Sequence, residues 1–295
     1  MAKIIVRLAG GLGNQLFQYA AARRLAHVNA VPLYLDAISG YERDGFGRSY
    51  SLGHFNICAE LASPAECYAG STRRVVRYLL RKWDANRPLP RRKFISEPSG
   101  SVGDAILSLR VSRTVYLEGY WQSDKYFNDI ADLLRDELGV VSPLSPEVAD
   151  MARRIEQTEA TVCIHVRHLY HLGTTDNERQ NEVNVGYYRK AMADVMDKVG
   201  KPHFFVFSDD AIWAEREFAS ELLSGCTWTV VDREVCAKDY EVLHLMSRCR
   251  HFVTSFSTFS WWGAWLSSFE DKIVIAPSKG FSNTTDMMPK SWIVI

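Results

Sequence analysis

A chain of 295 residues, 47% of them hydrophobic, is long enough for about two domains of ~150 residues with full cores. Lys+Arg and Asp+Glu number 35 each, which removes the global positive field that recruits nucleic acid. Six cysteines without a Cys-x-x-Cys pair argue against a structural zinc site and suit a reducing cytosol, and no run of ~18 apolar residues reads as a membrane span.

Met-Ala-Lys-Ile-Ile-Val runs straight into a strand over 4–8, so a cytoplasmic chain without a signal peptide is expected. A helix is expected over 14–27, with Leu16, Phe17, Ala20, Ala21 and Leu25 at helical spacing. Between them lies Gly10-Gly-Leu-Gly-Asn14, the strand, glycine turn and helix start that α/β proteins place against phosphates. Glycines let backbone N–H groups approach a ligand, and a helix start adds unpaired donors and partial positive charge. The run is neither Gly-x-Gly-x-x-Gly nor a P-loop, and a tight turn without a ligand is an equal reading. Asn14 suits an N-cap or a ligand-facing amide.

A second strand spans 32–36 and a polar loop 39–56. Residues 73–93 stand apart in charge. Arg73, Arg74, Arg77, Arg81, Lys82, Arg87, Arg91, Arg92 and Lys93 face one acid, Asp84, with Val75, Val76, Leu79, Leu80 and Trp83 interleaved. We read them as a solvated helix face followed by a Pro88-Leu-Pro90 linker. The alternative is a basic amphipathic helix in peripheral contact with the inner face of the plasma membrane through Arg73–Lys93. Residues 115–121 read as a strand ending in aromatics and 124–138 as a helix. Pro143 and Pro146 mark the boundary between expected domains 1–145 and 146–295.

Beyond it, helices over 147–156, 187–199, 212–223, 241–249 and 259–269 alternate with strands over 161–166, 203–207, 227–231, 251–254 and 272–276. Such alternation predicts an α/β chain of two Rossmann-like, doubly wound domains facing across a cleft. Ligands of open parallel sheets bind beyond the carboxyl ends of the strands. Strand 161–166 runs into His165-Val-Arg-His168, where alternation puts His165 and Arg167 on one face. An Arg fork there suits a diphosphate, and an Arg paired with a carboxylate is the plain alternative. Strand 203–207 runs into Ser208-Asp-Asp210, where Ser208 or Asp209 can cap the next helix and adjacent acids can hold a ribose, a base edge or a metal. No Asp-x-Asp occurs in the chain, so no metal is expected. Strand 251–254 runs into Ser255-Phe-Ser-Thr-Phe-Ser260, with more hydroxyls than capping needs, beside a helix start.

Gly10–Ala20, Gly119–Phe127, Phe205–Asp210 and Ser255–Leu266, with weaker support from Gly186–Ala191 and Leu245–His251, together resemble the bacterial α-1,2-fucosyltransferases of glycosyltransferase family 11. The resemblance covers nearly the whole chain. It implies a GT-B-like fold with the donor site in the second domain. It implies an inverting transfer of L-fucose from GDP-β-L-fucose to O2 of a terminal galactose in a β-galactoside glycan such as an O-antigen, without metal or cofactor. Donor contacts would come from Gly11, Gly13, Asn14, His165, Arg167, Ser208, Asp209, Ser255, Ser257, Thr258, Phe259 and Ser260. Arg167 would hold the β-phosphate, and the glycine turn with Asn14 would form the opposite wall. Arg167, Asn14 and His168 are expected to carry catalysis. The polar loop 169–184, with Asp176 and Glu178, is expected to shape acceptor choice, a plain surface insertion being the alternative. His168, Asp176 and Glu178 are candidates to take the acceptor proton.

Two departures from the family pattern stand out. The usual His-x-Arg-Arg-Gly-Asp reads His165-Val-Arg-His-Leu-Tyr170, without the second Arg or the Asp. The acid usual before Leu245-Met-Ser aligns with Val242, with Asp239 and Glu241 as nearby substitutes. The rival readings are a transferase for another nucleotide sugar and a non-catalytic nucleotide- or glycan-binding relative.

Overall fold

The structure, a computed structural model, describes residues 1–98, 102, 104–168, 185–232, 234–278 and 286–295. The chain divides into two compact units, Met1–Ser142 with Asn283–Pro289, and Pro143–Ser282 with Lys290–Ile295.

In the first unit, β1 (Ile4–Arg7), β2 (Leu33–Asp36), β3 (Glu60–Leu61), β4 (Phe94–Ser96) and β5 (Val115–Glu118) form a parallel sheet in the order β3-β2-β1-β5-β4. The helices are α1 (Leu12–Asn29), α2 (Ser71–Asp84), the short α3 (Asp104–Leu107) and α4 (Ala131–Glu137). Ile4, Val6, Leu16, Phe17, Ala20 and Leu35 are fully buried, as expected where helices cover a parallel sheet. α1 ends where Ala30 turns left-handed at φ 50° and donates its N–H to Ala26 and His27.

Several expected boundaries shift, for local reasons. α1 starts at Leu12 with Gly11 in the N-cap position, so Asn14 lies inside the first turn and is not the N-cap. The aromatic strand stops at Glu118, and Trp121 has φ 58°, which no strand accommodates. The helix expected over 124–138 is two 3-10 turns followed by α4, interrupted where Phe127 reaches φ −150°. α2 exposes Arg73, Arg81 and Lys82 as a solvated charged face would, but Val75, Leu79 and Trp83 also point outward, while Arg77 and Asp84 turn inward. The Pro88–Pro90 linker overlaps a 3-10 turn at Leu89–Arg91.

In the second unit, β6 (Thr161–Val166), β7 (His203–Ser208), β8 (Thr227–Val231), β9 (His251–Val253), β10 (Val274–Ala276) and β11 (Ile293–Val294) form a parallel sheet in the order β11-β10-β9-β6-β7-β8. Around it lie α5 (Pro146–Gln157), α6 (Val185–Val199), α7 (Ala211–Trp213), a π-helical turn Ala214–Ala219 leading into α8 (Ser220–Leu222), α9 (Asp239–Ser247) and α10 (Thr258–Leu266). Val162, Ile164, Val166, Phe204 and Val206 pack against Tyr188, Met192, Val195 and Phe218. The chain therefore folds as two Rossmann-like, parallel α/β domains, the doubly wound class its alternation predicts. The chain moves outward from β6 through β7 and β8, then returns to the far side of β6 with β9. That reversal leaves a crevice beyond the carboxyl ends of β6 and β9. In the first sheet the corresponding reversal lies between β1 and β5.

The loop after β2 is fixed by the buried Asp36. Burial opposes its ionisation, but hydrogen bonds from the Ser39 N–H and hydroxyl, Tyr116 and the Ile38 N–H hold its carboxyl below the usual range. This seats Gly40 against β1, where a Cβ would stand 1.7 Å from the Leu8 carbonyl oxygen. Gly40→Ala is expected to destabilise the unit by about 2–3 kcal/mol through overpacking, seen as a fall of several degrees in Tm on thermal unfolding.

Candidate functional site

The crevice of the second sheet is bridged by side chains. His165, one residue before the end of β6, is buried and shares a hydrogen bond of 2.7 Å between its Nδ1 and Ser255 Oγ, just past β9. Ser260 Oγ lies 3.3 Å from Ser255 Oγ and donates to the carbonyls of Ser255 and Ser257. Ser257 caps α10, its Oγ accepting from Phe259 N–H at 3.2 Å. The Phe259 ring stands 5.9 Å from that of His165, and Thr258 opens the helix, partly exposed. The hydroxyls in excess of capping thus serve largely to build the loop.

Two tyrosines of α6 fix the strand ends from behind. Tyr188 donates to the His165 carbonyl at 2.8 Å, and Tyr187 donates to those of Thr254 and Ile275 at 2.7 and 3.0 Å. Burial raises both phenols above their ordinary range, so they remain donors. Sequence reasoning missed these roles, although both residues sit in the Gly186-Tyr-Tyr motif.

Arg167 and His168 follow β6 and are partly exposed. Asp209 Oδ1 accepts the His168 backbone N–H at 2.6 Å, and Asp210 Oδ2 lies 2.9 Å from His168 Nδ1. The Trp213 ring stacks on the His168 imidazole, centroids 4.1 Å apart and planes within 4°. Capping of the following helix falls to Asp210, which accepts from Trp213 N–H at 3.0 Å, rather than to Ser208 or Asp209. Ser208 Oγ accepts from the Asp210 N–H. The Trp213 N–H and then the His168 contact hold the Asp210 carboxyl below its usual range.

Burial, with Arg167 adding positive charge nearby, pushes the His165 pKa down to about 3 despite Asp209. His165 is therefore a neutral imidazole beside a guanidinium, with the start of α10 alongside. This donor-rich end of a parallel sheet is suited to a phosphorylated ligand. At the start of α9, Glu241 is buried and its Oε1 has no hydrogen-bond partner among the described residues, the Lys238 Nζ standing 4.0 Å away. Asp239 is exposed and Val242 half-buried.

Gly11, Gly13 and Asn14 belong to the first unit. Gly10 has φ 79°, and a Cβ there would meet Asn14 Nδ2 at 2.5 Å, so the Asn14 amide lies over a position that only glycine fills. Asn14 Oδ1 accepts from Gln122 Nε2 at 2.9 Å. Gln18 accepts from Ala9 N–H at 3.0 Å and donates to the Gly119 carbonyl at 3.2 Å. Gln15 donates to the carbonyls of Gly10 and Ser49 and accepts from Ser51 N–H. Both glutamines are buried, and they staple the glycine turn to the loops at 49–51 and 119. Asp176 and Glu178 lie outside the described residues.

Residues 99–295 match the model of glycosyl transferase family 11. The chain belongs to that family. It is 30% identical to the O-antigen biosynthesis glycosyltransferase WbnK of Escherichia coli, over 97% of this chain and 98% of that protein. It is 26% identical to an α-1,2-colitosyltransferase of Escherichia coli, over 100% and 99%. A galactoside 2-α-L-fucosyltransferase of Caenorhabditis elegans is 22% identical over 62% of this chain and 51% of its own length. Among solved structures, the fucosyltransferase NodZ from Bradyrhizobium is 16% identical with a TM-score of 0.51, covering 90% of this chain and 93% of its own. NodZ α-1,6-fucosyltransferase soaked with GDP-fucose gives 17% and 0.52, with 90% and 92% covered. This likeness shows the GT-B fold. The family's activity, glycosyl transfer from a nucleotide sugar, is the activity of this chain.

Neutral His165 has a consequence for acid stability. The unfolded chain protonates this residue below about pH 6.5 while the folded one resists to about pH 3, so the unfolded state gains the extra proton and stability falls as pH falls across that window. His244, lowered to about 4 by burial and then Arg248, acts in the same direction. At pH 5 the His165 contribution is about 2 kcal/mol. The drop in Tm between pH 7 and pH 5 is expected to shrink in His165→Gln, measured by calorimetry at both values.

Proposed function

We propose that this chain transfers L-fucose from GDP-β-L-fucose to O2 of a terminal galactose in an O-antigen-type glycan, inverting the anomeric carbon to an α-1,2 linkage without metal or cofactor. The observation that carries the reading is the His165–Ser255 bridge, with Arg167 beside it, at the crevice between β6 and β9. The names of two relatives, an α-1,2-colitosyltransferase and a galactoside 2-α-L-fucosyltransferase, support transfer to a 2-hydroxyl. The reaction belongs in the cytosol in this reading, where thiols without a Cys-x-x-Cys pattern stay reduced.

In the transfer, the acceptor O2 attacks the anomeric carbon as the bond to the β-phosphate oxygen breaks, and that electron pair leaves with GDP. Arg167 stabilises the charge growing on the diphosphate, with the backbone and hydroxyl groups of Ser255, Ser257, Thr258 and Ser260 completing the donor set and Phe259 packing beside it. Ser208 and Asp209 stand on the nucleotide side, and Gly11, Gly13 and Asn14 are assigned to the donor sugar and phosphate, Asn14 acting in turnover more than in nucleotide affinity. His168 takes the acceptor proton at Nε2 while Asp210 holds Nδ1 and Trp213 holds the ring plane. Glu241 accepts from N1–H and the 2-amino group of guanine, two donors that match one carboxylate.

A second donor is favoured by one observation. The colitosyltransferase matches this chain from end to end, and colitose is fucose without its 3-hydroxyl. Turnover measured with GDP-fucose and GDP-colitose in parallel separates the two.

Release of GDP from GDP-fucose on adding a β-galactoside, with the product linkage read by NMR, tests the reading. Arg167→Ala is expected to lower kcat by about a hundredfold or more with Tm unchanged. Near-normal turnover in that variant would remove the role given to Arg167, and no GDP release by the wild type would make the chain a binding protein. By calorimetry GDP should bind more tightly than UDP or ADP, and Glu241→Gln should weaken GDP about tenfold while leaving UDP unaffected.

A further inference from the structure

α2 is built inside out. Its inward side carries charge: Arg77 approaches Glu118 at 3.8 Å, and Arg73 donates to the carbonyls of Pro64, Ala65 and Cys67. Buried Asp84 accepts the backbone N–H groups of Lys93 and Phe94 and pairs with Arg87. Of its apolar residues, Leu80 packs on the cluster of Phe94 and Tyr116. Its outward side is apolar. Val75, Val76, Leu79 and Trp83 follow i, i+1, i+4, i+8 spacing, which aligns them in one stripe. They are 56, 43, 57 and 61% exposed, with Tyr78 alongside at 53%. A helix on a water-facing surface shows the reverse pattern.

The stripe's charge selects its occupant. The side chains of Lys82 and Arg91 are exposed and have no ion-pair or hydrogen-bond partner among the described residues. Glu118 and Asp84 already face arginines of this segment, and Glu42 accepts the Gly70 N–H at the N-cap of the helix. Two copies meeting through this stripe would bring two basic rows together, which disfavours self-association. An anionic bilayer offers both halves of the match: an acyl boundary for the aliphatic residues and the Trp ring, and phosphates for the cations.

We propose that α2 docks this protein on an anionic phospholipid surface. The helix lies parallel to the membrane, with Val75, Val76, Leu79 and Trp83 in the headgroup–acyl boundary and Lys82 and Arg91 on lipid phosphates. This goes beyond the glycosyltransferase reading and is tested independently of it. The full chain is floated with vesicles of phosphatidylcholine alone, and with vesicles of phosphatidylcholine and phosphatidylglycerol in equal parts. It should float with the anionic vesicles, not with the neutral ones, and high salt should weaken the binding. The double variant Leu79→Gln/Trp83→Gln, which keeps every charge, should lose about tenfold in vesicle affinity. Its GDP affinity and its GDP release with a soluble β-galactoside should stay at the wild-type level. Absence of wild-type flotation, or unchanged affinity in the double variant, would overturn the proposal. So would a wild-type dimer that the double variant converts to a monomer, which would assign the stripe to a second copy.

Discussion

A single buried side-chain hydrogen bond between His165 and Ser255 closes the seam where the second sheet reverses its direction of growth. Strands β6 and β9 are neighbours in space, yet their carboxyl ends, Val166 and Val253, are 87 residues apart in sequence. No local turn can set the spacing of the loops that leave them. A side-chain bridge sets it instead, and it works because the imidazole is neutral. A protonated ring in that position would sit unhydrated beside the Arg167 guanidinium, an arrangement that burial and like charge both oppose. Tyr188 anchors the same strand end from the opposite side, so His165 is held at both its carbonyl and its ring.

The first unit solves the same problem with an amide. Gln18 spans the seam between β1 and β5 by accepting from Ala9 and donating to Gly119. An amide suits that seam because a donor and an acceptor are both needed there, and one neutral side chain supplies both. Gln15 repeats the device toward the loop at 49–51. The opening motif therefore holds two kinds of residue. Its glycines give close backbone approach, whereas its glutamines are scaffolding that keeps the turn in shape. The His168 segment shows a related economy. Where relatives of this chain are expected to carry a second Arg, a smaller ring is held by one carboxylate at Nδ1 and by a stacked indole. That exchange trades fixed positive charge for a group able to accept a proton.

The alternation of strands and helices in the second half was legible because parallel strands buried on both faces read as short apolar runs, Phe204 to Phe207 being the clearest. Arg167, His168, Asp209 and Ser255 were legible because polar residues directly after such runs have few structural reasons to be there. Strands β3 and β11 were not legible: two residues each carry no period. Nor was the division of labour between Asp209 and Asp210, since adjacent acids look alike until one meets a helix N–H and the other a neighbouring strand end. Tyr187 and Tyr188 read as ordinary helix-face aromatics, and only the fold shows that their hydroxyls reach carbonyls at three strand ends.

The basic stretch is the case where sequence reading fails most instructively. Counting charges suggests a solvated face, because a row of Arg and Lys is cheapest in water. The count omits an acid that the fold brings to the helix from outside its own segment and does not show where the helix's own Asp84 points. Glu118, at the end of β5, draws Arg77 and Arg81 to one side of α2, and Asp84 is committed to the backbone of β4. Once the arginines turn toward those acids, the helical period leaves the remaining stripe no choice but to face outward, and that stripe is Val75, Val76, Leu79 and Trp83. The exposed apolar face thus follows from where Glu118 sits in the sheet and from Asp84 turning inward at the end of the helix, as well as from the composition of the helix. Both acids are turned to the inward side, so the exposed surface of α2 is apolar with Lys82 among its residues.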